Sequence, residues 1–242
     1  MFKAYSSINI GGLGIAMAVS IAILLFTFHY FSFDNYITNG ENSYRIITRY
    51  GDGTYNTNTF PAFDDVLGDY PEVKSHTLCF NNHNIEDVFV GDSKIKVVDA
   101  IFVNGSFMDY FSIDIISGDK KSINNPNTIM VTPAMALKLF HDGDPLGQTV
   151  LLRSLAGNQD SLIGYTITGI VKPLPEKSHL KYEMLLSQKG HFDPTVTTLK
   201  SRIVFGRLIY VKLYANADIV ELESSLKFKL QPVLGSAHGA LH

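Results

Sequence analysis

The sequence has one cysteine and a net charge close to zero. The first excludes proteins built on disulfides or cysteine-bound zinc, and the second argues against nucleic-acid-binding proteins. Cys79 is the single cysteine, so neither an intramolecular disulfide framework nor a cysteine-based zinc site can form. Twenty basic and 23 acidic side chains give a formal net charge of −3, whereas nucleic-acid-binding proteins normally show a clustered basic excess. The 16 Phe and 12 Tyr are too many for a disordered chain. We therefore expect one large or two small folded domains and no nucleic-acid partner.

Charged side chains are also missing from the whole stretch between Lys3 and Asp34. Its central part, from Ile8 to Tyr30, is apolar on every side and long enough to cross a hydrocarbon layer of about 30 Å as a helix. A buried helix of a soluble domain is usually shorter and amphipathic, and a cleaved signal peptide has a shorter apolar centre. The stretch therefore predicts a retained membrane helix, with residues 1–31 forming the cytoplasmic N-terminus and the span. Because Lys3 precedes the span, we expect the rest of the chain outside the cytoplasm.

The remaining residues show a mixture of strand and helix patterns. Thr132-Pro133 predicts the start of a helix that runs to Phe140, because a hydroxyl caps the first amides and a proline follows at the first position. Asp218 with Glu221 predicts the capped start of a second helix, which Pro232 ends. A short helix follows Pro61. Alternating or β-branched patterns predict strands over 43–50, 76–80, 87–90, 94–103, 162–171, 181–187 and 207–214, with a further strand at 149. The tail from 235 to 242 is expected to fray.

This order of elements predicts an α+β fold, in which one N-terminal transmembrane helix precedes a mixed α/β extracytoplasmic domain over residues 32–242. We expect two lobes. A βαβ-type lobe would comprise residues 32–103 and 204–235, and a mostly β lobe over 104–203 would be inserted into it.

Several pairs of polar residues fit structural roles better than catalytic or metal-binding ones. His76 and His83 flank Cys79, but no carboxylate is obviously placed to orient them, and Cys79 is expected to pack as a small apolar residue. We interpret the other pairs as solvated turns, helix ends or chain ends: Glu86-Asp87, Asp64-Asp65, Asp142 with Asp144, and His238 with His242. Walker-type, HExxH, GxSxG and EF-hand motifs are absent from the sequence. We therefore predict no catalytic, cofactor-binding or metal-binding residue, and no enzyme activity.

Seven short segments together carry a recognisable pattern over nearly the whole chain. The most specific is Val131-Thr132-Pro133-Ala134-Met135-Ala136 with Leu139-Phe140 and Asp144-Pro145-Leu146-Gly147. The others are Ser32-Phe33-Asp34 with Asn39 and 43–46, Tyr70-Pro71-Glu72-Val73, 107–112 with 117–119, 165–171, Pro175-Glu176-Lys177-Ser178-His179-Leu180, and 210–213 with 217–218. In this order they resemble the extracytoplasmic domain of the MacB-like and FtsX-like ABC transporter permeases.

The resemblance implies a permease subunit in the inner membrane that works as a homodimer or with a paired permease. A separate cytoplasmic ATP-binding subunit would supply the energy, and the external domain would exchange conformational change with a periplasmic adaptor or lipoprotein during export or extraction of a substrate. No cofactor is implied. The shared motifs are expected to be architectural: Gly147 would supply an unusual backbone angle, and His179 would be a hydrogen-bonded strut.

The chain departs from the family pattern at three points. The family commonly has glycine after the Leu-Phe pair, where this chain has His141, and often has histidine where this chain has Ile37. Its members also carry further membrane helices, whereas this sequence ends at His242 without another apolar run, so we expect a fragment or a truncated product. One membrane helix cannot form a transport path, so this chain alone is expected to be inactive.

Two other functions are compatible with a folded domain behind one membrane helix. The outer sensor domain of a membrane-anchored signalling receptor predicts a ligand pocket with convergent polar groups and a second span leading to a kinase or cyclase. An anchored hydrolase predicts a polar cleft that holds a nucleophile and a base.

Overall fold

A computed structural model describes residues 2–32, 34, 36–37, 40–50, 52–81, 85–97, 99–154, 161–189, 207–234 and 238–241. The chain divides into two compact units. The first contains residues 1–36 and 175–179, and the second contains residues 37–174 and 180–242. The predicted division into two lobes within residues 32–242 stays a prediction.

The first unit consists of one long helix and the short segments beyond it. Helix α1 spans Phe2–Phe31, which at 1.5 Å per residue makes it about 45 Å long. Within it, Ile8–Phe31 has a mean hydropathy of 2.3, and its side chains are not buried by the protein. Exposed large apolar side chains all around the helix, such as Phe28 at 73%, would be unfavourable in water but suit a lipid environment. Among the described residues this is the one helix long and apolar enough to span a membrane.

The second unit is built on a single mixed sheet. Its described strands are β1 Ser43–Arg49, β2 Tyr55–Asn56, β3 Val73–Asn81, β4 Ile85–Val90, β5 Ser93–Lys96, β6 Ala100–Val103, β7 Ile115–Gly118, β8 Thr128–Val131, β9 Thr149–Ser154, β10 Ser161–Val171, β11 Met184–Ser187, β12 Leu208–Leu213 and β13 His238–Leu241. The sheet order is β13-β1-β12-β3-β6-β11-β8-β10-β9-β4-β5, with β2 beside β1 and β7 beside β10. The β6–β11 and β8–β10 pairs are parallel, and the other described pairs are antiparallel. The predicted α+β class is confirmed.

Four helices belong to this unit: α2 Ala62–Leu67, α3 Phe107–Tyr110, α4 Pro133–Phe140 and α5 Ile219–Leu234. Leu222, Leu226 and Leu230 of α5 are each 1% exposed and lie four residues apart, as a helix face in contact with a core requires. Phe63 and Leu67 of α2 are fully buried in the same core cluster. The apolar periodicity of the sequence therefore identifies the faces that pack.

The predicted helix caps are confirmed in their hydrogen bonds. The Thr132 hydroxyl accepts from the Met135 amide at 3.3 Å, and Asp218 Oδ1 accepts from the Glu221 amide at 3.0 Å. Gly147 adopts the predicted unusual angle, with φ of 77°. These features are local, which is why single residues in the sequence are enough to predict them.

Three local predictions are wrong. The strand expected over 94–103 is two strands, because β5 pairs with β4 in a hairpin while β6 pairs with β3 and β11 elsewhere in the sheet. Pro232 does not end α5, which continues to Leu234. Pro232 has no amide to donate to the Phe228 carbonyl, so the helix lacks one bond there and still continues for two more residues. Residues 238–241 of the tail are not frayed, because they pair with β1 as a strand, whereas residues 235–237 and 242 lie outside the described residues.

Candidate functional site

A hydrogen-bonded turn at Ser32 follows the end of α1. The Ser32 amide and hydroxyl both donate to the carbonyl of His29, at 3.3 Å and 2.7 Å. These bonds satisfy a carbonyl that the helix end leaves without an intrahelical partner. Tyr30 stacks on Phe26 with ring centroids 6.4 Å apart and meets Phe31 edge to face at 6.0 Å. Aromatic rings at the end of an apolar helix are typical of the membrane–water interface.

Beyond the helix, Asp34 is bonded to a loop that lies 145 residues further along the chain. The Asp34 amide donates to the Lys177 carbonyl at 2.9 Å. Asp34 Oδ1 accepts from the His179 amide at 3.1 Å, and Asp34 Oδ2 lies 2.8 Å from His179 Nδ1. One aspartate thus engages both backbone and side chain of the loop, and His179 is the hydrogen-bonded strut that the sequence predicts.

Tyr36 makes a second link to the same loop. Its hydroxyl lies 2.9 Å from the hydroxyl of Ser178, which is 2% exposed. Burial raises the pKa of Tyr36 to about 12, so its hydroxyl stays a neutral phenol that can donate or accept a hydrogen bond. The Ser178 amide donates to the Pro175 carbonyl at 3.1 Å, which closes the loop on itself as a turn. We call Asp34, Tyr36, Ser178 and His179 the exit clasp.

Asp34 has an unusual backbone conformation in the exit clasp. Its φ of 58° is in the left-handed region, which costs a non-glycine residue about 1 kcal/mol and costs aspartate less than most. The three hydrogen bonds of Asp34 contribute roughly 0.5–1.5 kcal/mol each. The side chains of Asp34 and His179 are 30% and 31% exposed, so water competes for these bonds. The hydrogen bonds of Asp34 therefore exceed the free-energy cost of its backbone conformation by only a small amount.

The loop in the exit clasp connects two strands of the sheet. It leaves β10 at Val171 and enters β11 at Met184, and these two strands lie on either side of β8.

Sequence reasoning reached both halves of the exit clasp but not their pairing. Ser32-Phe33-Asp34 and Pro175–Leu180 are separate segments of the resemblance, and their order in the sequence does not show that they pair. Phe33 and Asn39 of the first segment lie outside the described residues. The signal available was chemical complementarity, because an acidic residue in one segment faces a histidine in the other.

Another family segment has an architectural role. Phe107, Met108 and Phe111 are fully buried in and beside α3. Lys212 Nζ on β12 donates to the Tyr110 carbonyl at 2.7 Å and lies 4.5 Å from the centre of the Tyr110 ring. A cation at a helix C-terminus stabilises the carbonyls that the helix leaves unpaired. The lysine is therefore a buried cap for α3.

The cysteine and histidine considered in the sequence are separated by the structure. Cys79 is fully buried, and burial raises the pKa of its thiol, so it is not a reactive thiolate. His76 lies three positions earlier on β3, which places the two side chains on opposite faces, and its Nε2 is 3.6 Å from Asp64 Oδ1. His83 lies outside the described residues.

The remaining polar pairs have structural contacts. Asp87 lies within β4, as the predicted strand over 87–90 requires, so the interpretation of Glu86-Asp87 as a solvated turn is wrong; the Asp87 carboxylate is 2.8 Å from Lys94 Nζ across the hairpin. Asp144 Oδ1 accepts from the Leu146 amide at 3.0 Å, which is the expected turn. His238 begins β13, and His242 lies outside the described residues. Over the described ranges, no group of three or more His, Cys, Asp or Glu side chains is arranged to hold a metal ion.

An open groove runs along the outer face of α5. It has a volume of about 550 Å³ and is lined by Tyr70, Glu221, Ser224, Ser225, Phe228 and Lys229. Phe228 is 82% exposed, and Lys229 pairs with Asp69 at 2.5 Å. The groove is open to solvent and the Ser224 hydroxyl in it donates to the Val220 carbonyl of the same helix, so we assign no chemistry to it.

Comparisons with known proteins agree with this architecture. The family model of the MacB-like periplasmic core domain matches residues 6–227. A domain assigned to a permease protein from Porphyromonas gingivalis has 18% identity and a TM-score of 0.66, over 85% of this chain and 92% of that one. The periplasmic region of MacB from Actinobacillus actinomycetemcomitans has 16% identity and a TM-score of 0.57, over 86% and 92%.

A third structure extends the comparison to Gram-positive bacteria. The extracellular domain of the noncanonic ABC-type transporter YknZ has 14% identity and a TM-score of 0.56, over 82% of this chain and 99% of that one. None of the curated proteins matches the chain. At identities of 14–18%, the solved structures show a shared fold only. The family membership rests on the family model, which matches residues 6–227. The chain therefore belongs to the family of MacB-like periplasmic core domains, which are components of ABC transporter permeases, and it carries that domain behind an N-terminal apolar helix.

Proposed function

We propose that this chain is the N-terminal portion of a permease subunit of an ABC transporter, and that its extracytoplasmic domain transmits ATP-driven conformational change for export or extraction of a substrate. The observation that carries the proposal is the order of parts. A domain of the MacB-like periplasmic core family follows an apolar helix of spanning length, and the segment leaving that helix is hydrogen-bonded to a loop between two strands of the sheet.

The proposed mechanism is mechanical. ATP binding and hydrolysis in a cytoplasmic subunit would shift the membrane helices, and α1 would carry its exit segment with it. The exit clasp would pass that displacement to the loop between β10 and β11. Such transmission needs two states with different contacts, because a partner can shift an equilibrium only by its differential affinity for the two states.

The proposal includes the placement and partners of the chain. Lys3 before the span favours a cytoplasmic N-terminus and a domain on the periplasmic side of the inner membrane. Since one helix cannot enclose a path for a substrate, further helices from a second copy or a paired permease are required. A periplasmic adaptor or lipoprotein would bind the outer domain.

Affinity purification of the full-length protein from membranes tests this function. We expect an ATP-binding subunit to co-purify and the complex to hydrolyse ATP. A variant carrying Ala18→Arg and Ala22→Arg, which disrupts the span, is the matched control and is expected to lose the subunit. Recovery of a kinase or cyclase on the same polypeptide, or repeated failure to find any ATP-binding partner, would reject the permease in favour of the sensor.

A further inference from the structure

The backbone of Asp34 is held in a conformation that it would leave if its partners were removed. Its φ is positive, and the three hydrogen bonds that accompany this angle all go to Lys177 and His179 of the loop. Without them, an aspartate relaxes toward negative φ, which is the favoured region for all residues with a side chain. The direction in which the chain leaves α1 thus depends on whether the loop is bound.

We propose that Asp34 is a reversible latch with two discrete states. In the closed state Asp34 is left-handed and bound to Lys177 and His179. In the open state its φ is negative and the loop is released. The proposal rests on the proposed function, for which it names the residue that couples or uncouples α1 and the loop between β10 and β11. A strained residue that neighbouring contacts over-determine is a recognised element of conformational switches.

Three observations favour a latch over a permanent bond. The Asp34 and His179 side chains are each about a third exposed, so water can replace their contact. The strain at Asp34 and the ordering of the loop oppose the hydrogen bonds, which keeps the difference between the states small. Asp34, Lys177 and His179 also lie outside α1 and outside the strands, so their mutual hydrogen bonds belong neither to the helix nor to a strand pair.

Tyr36 and Ser178 form the part of the exit clasp that the latch does not include. Their hydroxyls are joined by one hydrogen bond, and Ser178 is 2% exposed while Tyr36 is half-buried. Neither residue is charged, and Tyr36 has no unusual backbone angle. Tyr36→Phe therefore removes one bond without relieving strain, and we expect it to leave the latch closed.

Distance measurement in the membrane-embedded full chain tests the latch. Spin labels are attached to cysteines introduced at Tyr30 on α1 and Glu176 in the loop, both of which are exposed, while the native Cys79 is fully buried and stays unlabelled. Pulsed electron paramagnetic resonance in lipid nanodiscs then gives the distance distribution. The parent protein is expected to show a dominant narrow distance for the closed state and a minor, longer one for the open state, and Asp34→Ala is expected to lose the narrow peak.

The control variant is Asp52→Ala. Asp52 is an exposed aspartate that also accepts hydrogen bonds locally, from the Thr54 amide at 2.9 Å and the Thr54 hydroxyl at 2.7 Å, but it lies in the turn after β1. We expect the control and Tyr36→Phe to keep the narrow peak. Asp34→Gly, which permits a positive φ without the carboxylate, is expected to lose it. Near-ultraviolet circular dichroism of each variant verifies that the sheet domain is folded.

The outcomes separate the latch from the proposed function. An unchanged narrow peak in folded Asp34→Ala or Asp34→Gly overturns the latch and leaves the permease assignment standing. Loss of the peak in both Asp34 variants, but not in Asp52→Ala, supports the latch even where no ATP-binding subunit co-purifies. Equal broadening in Asp52→Ala also overturns it, since the effect would then not depend on the exit clasp.

Discussion

Four described residues other than glycine have a positive φ, a backbone conformation that is unfavourable for residues with a side chain. They are Asp34, Ser112, Asn127 and His141. His141 is the clearest case, because its φ of 55° and ψ of −113° at the end of α4 lie outside the ordinary left-handed region. It is also the position where the family commonly has glycine. The departure seen in the sequence is thus a site of strain in the structure.

His141→Gly is expected to stabilise the protein by about 1 kcal/mol, because glycine adopts the same angles without a clash of its Cβ. The side chain is exposed, so little packing is lost with it. Urea denaturation of the purified domain measures the change. His141→Ala keeps a Cβ and serves as the matched variant. A gain in His141→Ala equal to that in His141→Gly would show that the imidazole, rather than the backbone, is responsible.

His76 is expected to make the stability depend on pH. Burial lowers its pKa below the ordinary 6.5, although Asp64 at 3.6 Å favours the charged ring, and burial is the larger effect. Below 6.5 the unfolded chain binds a proton that the folded protein resists, so stability falls as the pH drops through this value and below. Thermal unfolding across this range should show a smaller loss for His76→Gln than for the parent. Equal losses would contradict the assignment.

At the scale of elements, close approach between backbones decides where strands can pair. Gly118 at the end of β7 lies opposite Gly169 of β10 and has φ of 96°. A Cβ at this position would lie 2.2 Å from the Thr168 carbonyl oxygen. Gly118 therefore meets two separate requirements: its position needs a positive φ, and it has no room for a side chain.

Gly118→Ala is expected to destabilise the protein by about 3 kcal/mol or more, since it adds a backbone clash to an unfavourable angle. Gly147→Ala is the matched control, because Gly147 also has a positive φ of 77° but has open space around its missing Cβ. We expect this control to cost about 1–2 kcal/mol. Chemical denaturation gives the free energy of unfolding of both variants. Equal losses would show that the close approach to the Thr168 carbonyl does not contribute to the effect of Gly118→Ala.

Local elements could be predicted from the sequence, whereas their partners could not. Thr132 and Asp218 cap helices through contacts three residues away, so the pattern of neighbours is enough to identify them. The parallel pairing of β6 with β11 joins residues about 84 positions apart, and neither segment carries a feature that selects the other. The same reason explains why the exit clasp was missed although both of its segments were noted.

At the scale of the whole molecule, the composition of α1 determines where the chain resides. A charged side chain at the centre of a membrane helix costs roughly 2.5–3.5 kcal/mol, and two such substitutions roughly double this. Ala18→Arg with Ala22→Arg should therefore shift the protein from the membrane pellet to the soluble or degraded fraction after alkaline extraction. Tyr30→Arg at the helix end can extend its charge to the interface and should stay in the membrane. Membrane retention of the double variant would contradict a spanning helix.

Strand β1 has its main partners much later in the sequence. It pairs with β12 and β13, whose residues lie roughly 165 to 195 positions later, and Ile46 faces Leu241 directly. During synthesis, β1 emerges soon after the membrane helix and has to wait until nearly all of the domain has been made. Such distant pairing slows folding and exposes an incomplete sheet in the meantime. The sheet is therefore completed late in synthesis, because β1 gains its two neighbours only after β12 and β13 have been made.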